Sequence, residues 1–127
     1  MFGFWIFLSI CNLLIPATML FFGNLFIKHP PKTINGVYGY RTKRSMKNMD
    51  TWIFAHQYCG RLWRKWGAVL LVPTLIVVAV SFFLSEDGLS FVSIGLVSLQ
   101  LAFLVGSIFP VEKALKRTFD EYGLRKK

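Results

Sequence analysis

The sequence predicts an all-α membrane protein with three transmembrane helices, and three observations predict it. The segments 2–27, 67–84 and 89–111 are mostly apolar and contain no Lys, Arg, Asp or Glu. Their lengths suit a hydrocarbon core about 30 Å thick, which a helix of about 20 residues crosses. The composition agrees, since 54% of the 127 residues are apolar, well beyond an ordinary soluble domain. The third observation is where the charge lies. Nine of the fifteen Lys and Arg residues fall between Lys28 and Lys65, and six between Lys113 and Lys127. The turn Ser85-Glu86-Asp87-Gly88 has two acids and no cation. Three spans put both basic segments on one side, so the positive-inside rule places the N-terminus outside and the C-terminus in the cytoplasm.

The elements follow in order. Nothing basic precedes the first apolar run, which is too long for the core of a secretory signal, so it is read as a retained helix. Pro30-Pro31 stops it, because proline lacks the N–H and restricts its predecessor. Asn35-Gly36 and Gly39 are turn formers, so 33–44 is expected to be an irregular loop. Ser45, Asn48 and Asp50 are all competent to cap a following helix. From Asp50 to Trp66 the pattern is helical: Trp52, His56, Cys59, Trp63 and Trp66 share one stripe, and Phe54, Tyr58, Arg61 and Lys65 another. Aromatics mixed with cations suit the headgroup layer. The segment is therefore an amphipathic interfacial helix, or runs directly into the second span with a bend near Gly60 or Gly67. The whole chain, 1–127, reads as one membrane domain with a polar segment at 28–66 and a basic tail at 112–127.

Polar residues near the middle of the spans are Asn12, Thr74 and Gln100, for which interhelical hydrogen bonds are the expected role and the lining of a polar cavity the alternative. Ser93, Gln100 and Ser107 recur every seven residues on one face of the third span. Ser98, Ala102 and Gly106 form a small-residue ladder on another, which predicts a central position for that helix or a homodimer interface. Pro16 and Pro73 are expected to kink their helices and free carbonyls near the midplane.

The polar segment holds one dense cassette, NGVYGYRTKRSMKNMDTW from Asn35 to Trp52, with four cations, two tyrosines, two glycines and a tryptophan. A connecting loop needs only polarity, so this mixture marks the candidate site. No catalytic or phosphate-binding motif occurs. His56 and Cys59 alone are too few to hold a metal, and no cofactor or catalytic residue is assigned. The +9 net charge is attributed to topology and to anionic lipid headgroups, at about 1 kcal/mol per surface cation, rather than to nucleic acid. Cys11 lies within a span and Cys59 on the basic side, so no disulfide is expected. Glu112, just past the third span, is expected to pair with Arg41 or Arg44 and fold the cassette onto the bundle.

Tyr38-Gly39-Tyr40-Arg41-Thr42, Arg44-Ser45-Met46-Lys47 and Trp52 with Ala55, His56 and Gly60 resemble, in order and spacing, the signature of the SdpI family of small bacterial membrane proteins. The resemblance covers Asn35 to Gly60, and the three-span frame agrees. It implies immunity to a secreted, membrane-active killing peptide, and signalling by holding a cytoplasmic regulator at the membrane. Longer members carry a further membrane domain before the signature; this sequence starts at the first span of the signature domain. The ligand-binding residues so implied are Tyr38, Gly39, Tyr40, Arg41, Thr42, Arg44, Ser45, Trp52 and His56. Two other readings stand beside this binding module. One is an enzyme or carrier for an anionic lipid or other phosphate-bearing molecule, with Arg41, Arg44 and Lys47 on the anion and Tyr40, His56 or Glu112 moving protons. The other is a structural plug closing the bundle.

Overall fold

The structure, a computed structural model, describes residues 2–126. Four helices follow one another: α1 (Phe2–Lys28), α2 (Met49–Ser81), α3 (Glu86–Gly106) and α4 (Ile108–Thr118). Three helical stretches, Phe2–Lys28, Met49–Ser81 and Glu86–Thr118, are long and apolar enough to cross a membrane. The protein is an all-α membrane protein; the described residues form no strand, only an isolated bridge between Phe119 and Arg125.

The aromatic stripe belongs to a single 33-residue helix that continues into the second span, which at 1.5 Å per residue is about 50 Å long. Of the two arrangements expected for 50–66, the continuous one is adopted. The first three residues of the stripe face inward, while Trp63 and Trp66 are partly buried. Trp52, His56 and Cys59 are completely buried, because the cassette folds back over them. Asn48 is the cap: its side chain accepts from Thr51 N–H, and the Thr51 hydroxyl accepts from Asn48 N–H in return, which satisfies orphan donors at the helix start.

The seam between α1 and α2 is the tightest in the fold. A Cβ on Gly60 would lie 2.6 Å from the Gly23 carbonyl oxygen, and one on Gly23 would lie 2.8 Å from that of Gly60. Only glycine on both helices lets the backbones approach so closely. Gly60 therefore serves helix contact. With α1 and α2 paired this way, α3 takes a peripheral place. Gly95 and Gly106 meet nothing within 4 Å of a built Cβ, and Ser98 and Ala102 are exposed. The ladder expected to seat α3 centrally in the bundle faces outward.

The third span is interrupted at Ser107, short of the expected end at 111. Pro110 has no N–H for the Gly106 carbonyl, so the ladder loosens there. Beyond the break, α4 is amphipathic and lays Val111, Ala114 and Leu115 against α2. At the other end, α3 begins inside the acidic turn: Ser85 caps it by accepting from Gly88 N–H, and Glu86 and Asp87 occupy its first turn, where negative charge suits the helix dipole.

At mid-helix the expected polar residues meet. Pro16 frees the Asn12 backbone carbonyl, which accepts from Gln100 Nε2 at 2.9 Å; the same nitrogen donates to Thr74 Oγ1 at 2.9 Å. Asn12 Nδ2 reaches Ser93 Oγ at 3.2 Å. The amide oxygens of Asn12 and Gln100 are buried and have no donor.

The basic tail is folded where the structure describes it. Phe119 is buried, Asp120 accepts from the N–H groups of Tyr122 and Leu124, and Gly123 (φ +80°) turns the chain back. Asn48 Nδ2 donates to Gly123 O at 2.8 Å, and Arg125 forms a two-bond ion pair with Asp50 while lying over the Phe119 ring. The tail thus clips onto the start of α2.

Candidate functional site

The cassette is built around His56. Its Nε2 accepts from Tyr40 N–H at 2.8 Å, and its Nδ1 lies 2.8 Å from the Trp52 carbonyl. Both bonds at once require the neutral imidazole with its proton on Nδ1. The ring is held between Trp52 and the edge of Phe26, with centroids 4.3 and 4.9 Å away. Gly39 passes directly over it. Its φ is +115°, and a Cβ there would sit 2.5 Å from His56 Nε2. The glycine between the two tyrosines is thus demanded twice, by backbone conformation and by the imidazole.

From Tyr40 the chain closes a compact knot. Ser45 Oγ lies 3.0 Å from Tyr40 O and accepts from Thr42 N–H at 2.9 Å, while Thr42 Oγ1 accepts from Ser45 N–H at 3.2 Å. Thr51 Oγ1 is 3.0 Å from Ser45 O, and Trp52 Nε1 donates to Pro31 O at 2.9 Å. Ser45, Trp52 and His56, expected as ligand-binding residues, are buried, and their side-chain polar atoms bond backbone groups of the loop and of α2.

Beside this knot lies a cleft of about 500 Å³. Phe22 and Phe26 of α1 form one wall, the α3–α4 junction from Leu104 to Ile108 the other, with Trp63 of α2 and Tyr38 to Thr42 of the cassette completing it. Tyr38 packs on Phe22 and Phe26 with centroids 6.2 and 6.0 Å away, and Phe26 lies 5.9 Å from Trp63. Trp63 Nε1 donates to Ser107 Oγ at 2.9 Å, which fixes the indole across the α3–α4 break. The five consecutive residues Tyr38, Gly39, Tyr40, Arg41 and Thr42 all line the cleft, whereas Arg44 lines a separate small crevice with Lys47, Thr51 and Phe119.

Tyr40 turns its hydroxyl toward the Ile108 carbonyl at 3.4 Å. Burial, and secondarily the Glu112 carboxylate, pushes its phenol well above the usual tyrosine range. It is a neutral donor at physiological pH. Glu112 does not pair with Arg41 or Arg44: among the described residues the ion pair formed is Arg125–Asp50. The carboxylate lies against Tyr40 instead, with one oxygen buried and unpartnered. The Arg41 guanidinium bonds the Gly36 carbonyl across its own loop. Arg41 is exposed at the cassette surface. Among the described residues no group of three or more His, Cys, Asp or Glu could hold a metal ion. Cys59 packs in the apolar cluster with Tyr40, Ala55, Val111 and Leu115.

The sequence alone did not point to Phe22, Phe26, Trp63 or Ser107 as parts of a site. Trp63 and Ser107 do belong to the periodic stripes of their helices, but periodicity cannot tell that both face one cavity.

The sequence model described as "SdpI/YfhL protein family" matches residues 32–111, more than half of the chain. Uncharacterized protein YfhL of Bacillus subtilis (strain 168) is 44% identical over 52 residues, which are 41% of this chain and 47% of that protein. The matched stretch thus spans about half the length of the curated relative. No solved structure matches.

Proposed function

The chain belongs to the SdpI/YfhL protein family, and from that premise we propose that it is a membrane-embedded binding protein whose cassette-side cleft captures an amphipathic, membrane-active peptide and so protects the cell that carries it. One observation carries the reading: five consecutive signature residues, Tyr38 to Thr42, line one cleft. Its volume, about 500 Å³, falls within the range of ligand sites, which are mostly apolar with a few oriented polar groups. It suits one or two bulky apolar side chains of a peptide lying in the bilayer, with the peptide's polar backbone or head meeting Tyr40, Arg41 and Thr42.

The geometry favours binding over proton-transfer chemistry. Both ring nitrogens of His56 are engaged with backbone groups, and Tyr40 is held as a neutral phenol. In this reading the cassette faces the cytoplasm, as the positive-inside rule requires. Contact with a cytoplasmic regulator is a second element of the proposal, favoured by the loop tip, where Val37 is 88% exposed.

The test is protection of cells challenged with a membrane-active peptide, with Tyr40→Ala, Arg41→Ala and Trp63→Ala introduced singly. Loss of protection at unchanged protein abundance supports the proposal. Full protection by all three variants at normal abundance sinks it. Loss of protein in every case would favour the plug reading.

A further inference from the structure

The cleft has a polarity gradient that specifies a resident ligand. Thr18, at its deep end, lies ten residues before Lys28 on α1, so the cleft extends about 15 Å from the charged end of the helix toward the hydrocarbon. Toward that end the walls are Phe22, Leu104 and Val105, with the Thr18 hydroxyl the one polar side chain among them; the polar groups Tyr40, Arg41 and Thr42 sit at the cassette end. A cavity this apolar at membrane depth gives water almost nothing to bond to. It is filled by the surrounding solvent, which is acyl chain.

The cassette end specifies the head. No acidic residue lines the cleft. Arg41 is exposed and spends one N–H group on Gly36 O, which leaves the rest of the guanidinium fork for an anion. Lys28 and Lys32, before the cassette, and Lys43 within it are exposed as well. The one acid packed against this region, Glu112, is turned on Tyr40 and lies outside the lining. Apolar depth, an arginine at one end and uncompensated positive charge around it match an anionic amphiphile.

We infer that the cleft holds a single anionic phospholipid from the leaflet on the cassette side, with one acyl chain between α1 and the α3–α4 junction and its phosphate on Arg41. The inference rests on the cleft being the binding site, and deepens it: a captured peptide enters by displacing this lipid.

Native mass spectrometry of the purified chain, after exchange into vesicles of phosphatidylglycerol and phosphatidylethanolamine in equal amounts, tests it. The wild-type chain is expected to retain one phospholipid, with phosphatidylglycerol preferred. Arg41→Gln is expected to reduce that preference about fivefold, the worth of one surface cation toward an anionic lipid. Val105→Trp, at a position already 58% exposed, fills the cleft without disturbing the core and is expected to abolish retention. Arg44→Gln, outside the cleft, leaves retention unchanged. No retained lipid in the wild type, equal retention of both lipids, or retention indifferent to Val105→Trp overturns the inference. The two readings separate cleanly. Retained lipid with no protection against peptide removes the proposed function alone, and protection without retained lipid removes this inference alone.

Discussion

The cassette end of the molecule and its mid-helix seam both bury polar groups, and they do so in opposite ways. At the cassette end nearly every buried polar atom has a partner: His56 uses both ring nitrogens, Ser45 and Thr42 bond each other's backbone, and Trp52 reaches Pro31. In the seam, Asn12 and Gln100 each bond through their nitrogen and leave the oxygen without a donor. The cassette knot closes within one contiguous segment, from Pro31 to His56, so even its longer bonds, Tyr40 to His56 and Trp52 to Pro31, join residues of the same stretch of chain. The seam joins three helices and tolerates an imperfect fit. A loop over a binding cleft needs a fixed shape, whereas a helix seam needs only adhesion.

The largest test of this contrast is Gly39→Ala. It forces a side chain into the left-handed region and against His56 Nε2, and is expected to cost about 2–4 kcal/mol in unfolding measured in detergent micelles. Gly36→Ala, two glycines apart only in sequence, meets open space at ordinary φ and should stay within about 0.5 kcal/mol. Equal effects at the two positions would break the claim that the loop is shaped by the imidazole.

Helix contact gives the second test. Gly60→Ala drives a methyl group into the α1 backbone and is expected to destabilise by about 1–3 kcal/mol. Gly95→Ala, on the outward face of α3, should be neutral or slightly stabilising because alanine is the better helix former. A substantial loss at Gly95 would mean that α3 is covered in the membrane.

Third, His56→Ala leaves the Tyr40 N–H buried without an acceptor, expected to cost about 1–3 kcal/mol. Gln100→Leu removes two bonds but also an unpaired oxygen, and interhelical bonds in membranes average about 0.6 kcal/mol, so its loss should be under about 1 kcal/mol. If Gln100→Leu proves the more damaging, the ranking of the two regions is reversed.

The smallest effect concerns Tyr40. A phenol whose folded pKa lies above the ordinary tyrosine value favours the protonated form when folded. That stabilisation is fully present below about pH 10, the ordinary value, and is lost progressively as the pH rises beyond it. Tyrosinate absorbance at 295 nm should show one of the four tyrosines ionising last, and Tyr40→Phe should delete that component. The wild type should also lose more stability than Tyr40→Phe between pH 9 and pH 11.

Much of the frame was legible in the sequence, for local reasons. Twenty or so apolar residues without charge must either span a bilayer or expose themselves to water, and Pro30-Pro31 must stop a helix. The cassette could be singled out because its composition exceeded what a loop requires. Its internal division was not legible. Tyr38 to Thr42 line the cleft while Ser45, Trp52 and His56 lie beneath it and Arg44 faces elsewhere, and all share the same short tract. The folded tail escaped notice because Phe119, Asp120 and Gly123 matter only through their docking on Asn48 and Asp50.

The sequence by itself determined the class, the three apolar runs, the loop and the helix cap, since each follows from the chemistry of residues near one another in the chain. Tertiary structure alone decided that the start of the tryptophan stripe turns inward, that α3 is peripheral, and that Glu112 meets Tyr40 instead of an arginine. The α1–α2 seam shows the reason: two glycines thirty-seven positions apart set its distance together. No local pattern contains that distance; only the packed backbones do.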